Sequence, residues 1–199
     1  RAVSIDPAQA EYQYQYGAVL QSGGQVSEAL PYLEAAIARD PEHAQAHYRL
    51  GMVHRAQGRL RQAAQVVMKA IELAPRFDRA YVELGDVYLS AGHPREAAQV
   101  FRNCTQNAPQ RAECFNELGR ALAAGGDRKG AIAAFNDALQ RDPQLGGALF
   151  NVGIAYNEEG DLAMAKGYLE RYLKTADRKS EPDRVAAAEP IVSGMMATQ

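Results

Sequence analysis

The chain has 199 residues, of which 47% are hydrophobic and 23% charged, and its formal net charge is −2. The hydrophobic content excludes an intrinsically disordered chain. The near-neutral charge argues against a general nucleic-acid binder, which needs a basic face. Since no run of about 18 apolar residues occurs, the sequence predicts no membrane-spanning helix.

Four sets of residues recur every 34 residues along the chain. The glycines of the first set are Gly17, Gly51, Gly85, Gly119 and Gly153, and those of the second are Gly24, Gly58, Gly92, Gly126 and Gly160. The alanines are Ala29, Ala63, Ala97, Ala131 and Ala165, and the prolines are Pro7, Pro41, Pro75, Pro109 and Pro143. A fixed period of this length is typical of a solenoid, in which every unit stacks on its neighbours.

The chain begins inside a unit. Ala2 and Pro7 match Ala36 and Pro41 at the end of the next unit. Residues 1–9 are therefore predicted to end a preceding, truncated repeat, and we expect the chain to be a fragment. Five full units follow, at residues 10–43, 44–77, 78–111, 112–145 and 146–179.

Each unit is predicted to be an antiparallel pair of helices joined by a short turn. In the second unit, Ala46, Leu50 and Val53 lie on one helical stripe. Gly58 is predicted to end the first helix. Pro75 is predicted to end the second helix, because proline cannot continue a helix interior.

A glycine also recurs in the middle of every first helix, where it costs about 1 kcal/mol relative to alanine. A glycine kept at that position in all five units needs a reason in packing. In the second unit we expect Gly51 to allow close approach of the partner helix, with the small side chain of Ala63 opposite it.

The third and fourth units share one pattern of large, glycine, alanine and proline positions. In the third unit these residues are Tyr81, Leu84, Gly85, Tyr88, Ala97, Phe101 and Pro109, and in the fourth they are Phe115, Leu118, Gly119, Ala131, Phe135, Ala138 and Pro143. On these residues the chain resembles the tetratricopeptide repeat (TPR) family. The resemblance implies an all-α fold, a right-handed α-solenoid (TPR superhelix) of stacked antiparallel helix pairs.

The fifth unit departs from the pattern. Tyr172 stands at the second alanine, as Cys104 does in the third unit, and Asp177 stands at the closing proline, so this unit is predicted to be the last. Residues 180–199 are predicted to form a capping helix over its edge, kinked or broken at Pro190. The helical stripe of that segment is Val185, Ala188, Val192 and Met195.

The family resemblance implies that the first helices line a concave groove. The groove positions carried over from the motif are Tyr14, Tyr48, Met52, Arg55, Val82, Asp86, Leu89, Asn116, Arg120, Phe150, Ile154 and Asn157. Apolar anchors with scattered charge suit an extended peptide or an amphipathic helix. Tyr14 and Tyr48 are the leading candidates, since tyrosine offers apolar area and a hydroxyl. The alternative is that some of these residues only contact neighbouring units.

Two groove chemistries known in the family do not match this chain. The lysines, asparagines and arginine that clamp a C-terminal carboxylate in chaperone-binding members are missing in both registers tested. The asparagine ladder of glycosyltransferase members has one match, Asn151, whereas the other units have Gln15, Arg49, Glu83 and Glu117.

The histidines and the absence of catalytic motifs argue against an enzyme. His43, His47 and His54 lie on one helical face, a pattern that can bind zinc. His47 and His54, however, occupy the two aromatic positions of the repeat, so imidazoles packed between helices are the favoured interpretation. No nucleophile motif or phosphate loop is present. The sequence predicts no enzyme, no cofactor and no metal site.

Cys104 and Cys114 are a candidate disulfide. Each lies five residues from Pro109, at the turn between the third and fourth units. Facing Cα atoms of packed helices are about 4–5 Å apart, and this distance suits a disulfide. The alternative is a pair of buried thiols. A bridge would indicate an oxidising compartment such as a periplasm, whereas without it a cytoplasmic location stays open.

The leading functional hypothesis is a non-catalytic TPR adaptor or scaffold that binds a protein or peptide in its groove. One alternative is a bacterial envelope assembly factor, such as a pilotin-like TPR lipoprotein, and another is the regulatory TPR arm of a larger enzyme. Self-association through the repeat edges is a further expectation, and nucleic acid is not an expected partner.

Overall fold

The computed structural model describes residues 7–194, and all regular secondary structure in that range is α-helical. The helices are α1 (Pro7–Ser22), α2 (Val26–Arg39), α3 (Ala44–Ala56), α4 (Leu60–Leu73), α5 (Asp78–Ser90), α6 (Pro94–Asn107), α7 (Ala112–Ala124), α8 (Arg128–Arg141), α9 (Gly146–Glu159), α10 (Leu162–Thr175) and α11 (Pro182–Val192). Two compact units are present: residues up to Asn107 hold α1–α6, and residues from Ala108 hold α7–α11.

Within each unit, every helix packs on the helix that follows it in sequence, and the first helices of successive repeats also touch. In the first unit, Leu33 of α2 packs with Leu50 and Val53 of α3. In the second unit, a single apolar cluster that includes Phe135 and Tyr172 connects α8, α9, α10 and α11. The pattern of helix pairs predicted from the repeat is thus the pattern in the structure.

Each first helix ends at a glycine in the left-handed backbone region, which other residues rarely adopt. The φ angles of the second glycine set lie between 72° and 85°. Gly194 has φ 72° and lies one further repeat step after Gly160, which sequence analysis overlooked. The C-terminal helix α11 therefore ends in the same way as the first helix of a repeat.

The mid-helix glycines make room for a large side chain rather than for a small one. A Cβ atom on Gly51 would lie 2.1 Å from Cγ2 of Val67, whereas the nearest atom of Ala63 is its backbone oxygen at 3.5 Å. The expectation that the side chain of Ala63 faces this glycine was therefore wrong. Phe101 and Phe135 occupy the place of Val67 in the next two repeats.

The first helix starts earlier than the repeat boundary predicts. Helix α1 begins at Pro7, whereas the first helices of the following repeats begin three residues after the matching proline. The predicted remnant of a preceding repeat falls mainly on residues 1–6, which lie outside the described residues.

The sequence predicted a helix kinked or broken at Pro190, and helix α11 continues through Pro190 to Val192, so it is not broken there. Its buried residues are Val185, Ala188 and Ile191, and Val192 is only half-buried. Met195 lies outside the described residues. Tyr172 of α10 is fully buried, and its hydroxyl donates to Oε2 of Glu181, directly before α11, at 2.9 Å. The bulky residue at the alanine position thus fixes the start of the C-terminal helix.

Candidate functional site

The second unit has a cavity of about 220 Å³ on the surface of its first helices α7 and α9. It is lined by Arg120, Ala123, Phe135, Phe150, Asn151, Ile154, Ala155 and Glu158. Three of the predicted groove residues, Arg120, Phe150 and Ile154, therefore lie around one concave space. The repeat motif had placed Ala123 in the same row of groove positions as Arg55, but it did not single out Glu158. It had treated Asn151 only as an isolated match to the asparagine ladder.

In the first unit, polar side chains fill the corresponding space between neighbouring first helices. Arg49 of α3 donates to Oε1 of Gln21 on α1 at 2.6 Å. Arg55 of α3 donates to both carboxylate oxygens of Glu83 on α5, at 2.7 and 3.1 Å. Gln21 and Arg55 stand at one repeat position, and Arg49 and Glu83 stand at another. Both pairs therefore join the same two positions in successive repeats.

In the second unit the residue equivalent to Arg55 is Ala123, and the residue equivalent to Glu83 is Asn151. Alanine has no polar group, so Asn151 lacks the partner that Glu83 has. Its Nδ2 instead donates to Oδ1 of Asn116 at 2.9 Å. The small side chain of Ala123 leaves open the space that a long side chain fills in the first unit.

A neighbouring carboxylate sets the orientation of the two amides. Nδ2 of Asn116 donates to Oε1 of Glu117 at 2.9 Å, which leaves Oδ1 of Asn116 to accept from Asn151. Oδ1 of Asn151 and its second amide hydrogen have no partner among the described residues. An amide in this state can pair with both the N–H and the C=O of a peptide group.

The apolar wall and the charged rim of the cavity are held by further contacts. The ring of Phe150 lies 5.3 Å from the ring of Tyr172 and 5.6 Å from the guanidinium of Arg184. At the rim, Arg120 is paired with Glu117, and Glu158 is 3.3 Å from Arg128. The site therefore offers a fixed aromatic surface next to one amide, with charges of both signs at its edge.

The predicted groove residues differ in their exposure. Arg120 is exposed, Asn116 is buried, and the other ten are half-buried, namely Tyr14, Tyr48, Met52, Arg55, Val82, Asp86, Leu89, Phe150, Ile154 and Asn157. Asn157 does not line the cavity around Asn151. It lines a separate one of about 170 Å³, together with Leu162, Lys166 and Ile191.

The two tyrosines favoured by the sequence are held by ring contacts in the first unit. The ring of Tyr14 lies 4.7 Å from that of His43, and the ring of Tyr48 lies 4.9 Å from that of Phe77. Burial, with the Glu83 carboxylate nearby, raises the pKa of Tyr48. The hydrogen bond to Glu83 raises the pKa of Arg55, so the Arg55 guanidinium stays charged and engaged in an intramolecular pair.

The histidines of α3 are buried rather than arranged around a metal. Nε2 of His47 donates to the carbonyl oxygen of Pro41 at 2.9 Å, and the hydroxyl of Tyr81 donates to that of Pro75 in the same way at 3.1 Å. Burial lowers the pKa of both His47 and His54. Within residues 7–194, no three His, Cys, Asp or Glu side chains converge as metal ligands would.

Neither cysteine is a free thiol. Cys104 and Cys114 are both buried and both disulfide-bonded. Of the helices in the described part of the chain, none combines the length and the apolar content that crossing a bilayer requires.

The comparisons with known proteins agree on one family. The family model described as "Tetratricopeptide repeat" matches residues 17–80, 82–146 and 118–183. No protein of curated function matches the sequence.

Several solved structures share the fold. TTC0263, a thermophilic TPR protein of Thermus thermophilus, has a TM-score of 0.72 and 20% identity over 92% of this chain and 98% of its own. PilF of Pseudomonas aeruginosa has a TM-score of 0.77 and 18% identity over 96% and 94% of the two chains. YrrB, described as "a TPR protein with an unusual peptide-binding site", has a TM-score of 0.63 and 20% identity over 89% and 90%.

The predicted all-α fold class, an α-solenoid of repeated helix pairs, is confirmed by these matches and by the helices of the structure. Since the family model covers most of the sequence, the chain belongs to the tetratricopeptide repeat family.

Proposed function

We propose that this protein is a non-catalytic scaffold that binds an extended peptide segment of a partner protein on its first helices. The observation that carries the proposal is the cavity around Asn151, where an amide without a partner on its Oδ1 lies beside Phe150 and Ile154. A peptide backbone would pair with the amide, and an apolar side chain of the same peptide would contact the aromatic wall. YrrB offers a precedent for peptide binding on this fold.

The position of Asn151 favours an extended peptide over a helix as the ligand. A helix satisfies its own backbone groups, except at its ends, so it gains little from a free amide on the surface. An extended strand keeps its N–H and C=O groups available. The exposed Arg120 and the carboxylate of Glu158 then flank the peptide with opposite charges and favour one direction of binding.

The test begins with a phage-displayed library of random peptides, selected on the whole chain. Binding of the selected peptides is then measured by fluorescence polarisation with wild type, Asn151→Ala and Ala123→Arg. Loss of two neutral hydrogen bonds in Asn151→Ala is expected to cost about 1–3 kcal/mol, or about fivefold to 150-fold in Kd. Ala123→Arg places in the cavity the residue type that Arg55 provides in the first unit, and it should abolish binding.

Gln140→Ala is the matched control, since Gln140 is an exposed residue on the second helix α8. It should leave the affinity unchanged. Selected peptides that bind both site variants as tightly as wild type, or a library that yields no binder, would count against the proposal.

A role as an envelope assembly factor is a second candidate, and one observation favours it. Cys104 and Cys114 are disulfide-bonded, and disulfides persist in oxidising compartments such as a periplasm. Cell fractionation of the native host, with the thiol state of the protein measured in each fraction, tests this candidate. Reduced protein in the cytoplasmic fraction alone would exclude it. No contact among the described residues favours the regulatory arm of an enzyme.

A further inference from the structure

The first unit has a cavity of about 310 Å³ on the surface formed by its second helices α4 and α6. It is lined by Met68, Ile71, Glu72, Tyr81, Leu84, Tyr88, Val100 and Asn103. None of these residues is among the predicted groove residues, and the cavity is separate from the site around Asn151. We refer to it as the α4–α6 slot.

The second unit shows what occupies the corresponding place two repeats later. There Tyr168 of α10 lies between α8 and α9, with its ring stacked on Tyr156 at a centroid distance of 5.8 Å and an interplanar angle of 5°. The hydroxyl of Tyr168 donates to Oδ1 of Asn136 on α8 at 2.9 Å. An aromatic side chain of the protein itself therefore fills the space between the second helices α8 and α10.

The α4–α6 slot has the stacking surface but lacks the ring. Two repeat lengths before Tyr156 the chain has Tyr88, so an aromatic face is present again. At the position of Tyr168 it has Val100, which is too small to reach across. The space that Tyr168 fills in the second unit is consequently open between α4 and α6.

The residue equivalent to Asn136, which accepts the hydrogen bond of Tyr168 in the second unit, is also different. Met68 stands at the position of Asn136, so the amide that accepts the tyrosine hydroxyl is replaced by a thioether. Methionine adapts to aromatic rings and makes favourable sulfur contacts with them, but it is a weak hydrogen-bond acceptor. Met68 is 40% exposed and stands with Ile71 at one edge of the slot. At the place of Asn136 the slot therefore offers a thioether contact to an aromatic ring and no acceptor for a hydroxyl, while the acceptor groups of Glu72 and Asn103 lie elsewhere in its lining.

The size of the slot agrees with this chemistry. An apolar cavity of about 150 Å³ is large enough to bind benzene, and the slot is larger, at about 310 Å³. Offset-stacked aromatic pairs are favourable beyond their buried area, and Tyr156 with Tyr168 shows that the fold accommodates such a pair at this location.

We propose that the α4–α6 slot binds a phenylalanine side chain of a partner protein, with its ring stacked on Tyr88 as Tyr168 is stacked on Tyr156. The partner would thus engage the second-helix surface of the first unit, in addition to any peptide on the first helices. The proposal does not depend on the site around Asn151, and each can fail without the other.

The experiment uses the whole chain with ¹³C-labelled methyl groups and two soluble probes, N-acetyl-phenylalaninamide and N-acetyl-tyrosinamide. Saturable NMR shifts are expected at the methyls of Met68 and Ile71, with the phenylalanine probe binding more tightly. Val100→Tyr fills the slot from within, as in the second unit, and should weaken binding of the phenylalanine probe at least tenfold. Arg95→Tyr adds the same side chain at an exposed position of α6 and should leave binding unchanged.

Met68→Asn restores the acceptor found in the second unit and should reverse the preference in favour of the tyrosine probe. Because Met68 is partly exposed, Met68→Asn is expected to fold. Its probe preference therefore tests the proposal even if Val100→Tyr loses its helical circular dichroism. The proposal would be overturned by the absence of saturable shifts in wild type. Unchanged binding in a folded Val100→Tyr, or an unchanged probe preference in Met68→Asn, would overturn it as well.

Discussion

The contact between Gly119 of α7 and Phe135 of α8 gives a quantitative test of the helix-pair packing. A Cβ atom on Gly119 would lie 2.4, 2.5 and 2.9 Å from three atoms of the Phe135 ring. Phe135 is only 2% exposed, and its ring also lines the cavity around Asn151. Gly119→Ala therefore forces the two helices apart or moves the ring off its preferred rotamer.

The expected magnitude combines two opposing effects. Overpacking a well-packed core costs about 1–3 kcal/mol, and we take the upper end because three ring atoms are overlapped. Replacing glycine by alanine within a helix contributes about 1 kcal/mol in the stabilising direction. The net prediction is that Gly119→Ala lowers the free energy of unfolding by about 2 kcal/mol.

Gly167→Ala in α10 is the control within the same unit. A Cβ atom on Gly167 meets no neighbouring atom within 4 Å, so only the gain in helix propensity remains. This variant should be more stable than wild type by about 1 kcal/mol. Urea unfolding followed by far-UV circular dichroism measures both variants. A Gly119→Ala protein as stable as wild type would refute the packing argument, and a destabilised Gly167→Ala would refute the control.

Two further predictions concern the buried titratable and sulfur-containing residues. Burial holds the pKa of His47 and His54 below the unfolded value of about 6.5, so the stability they support is present above that pH and is lost as the pH falls below it. The double variant His47→Tyr, His54→Tyr, which copies the next repeat, should lose less stability between pH 7.5 and 5.5; equal losses in urea unfolding would contradict this. Cys104 and Cys114 are predicted to be bonded to each other, so that alkylation with mass spectrometry labels both only after reduction, and reduction should lower stability by about 3 kcal/mol. Alkylation of unreduced, unfolded protein would disprove the bond.

Much of the helical framework was predictable because its signals are local. The second glycine set marks residues whose backbone requires positive φ, and each of these glycines adopts it. The closing prolines mark the ends of second helices for an equally local reason. The side chain expected opposite Gly51 was wrong, because it depends on the neighbouring helix. Of the kink or break expected at Pro190, the break is absent, since this proline lies close to the end of α11.

The candidate sites were less predictable. In the sequence, Ala123 is only one small residue in a row of predicted groove positions. Its meaning follows only from the Arg55–Glu83 pair, which shows what a long side chain does at the equivalent position. In the same way, Val100 is an ordinary apolar residue until the stacked pair of Tyr156 and Tyr168 shows which ring is missing beside it.

The sequence by itself determined the family, the order of the helices and the residues that end them, because each follows from backbone preferences that recur every 34 residues. Only the tertiary structure decided where the fold is open to a ligand. Such openings arise between side chains of different helices. Whether a small residue leaves space, or a polar residue leaves a free amide, depends on partners that lie far from it in the sequence.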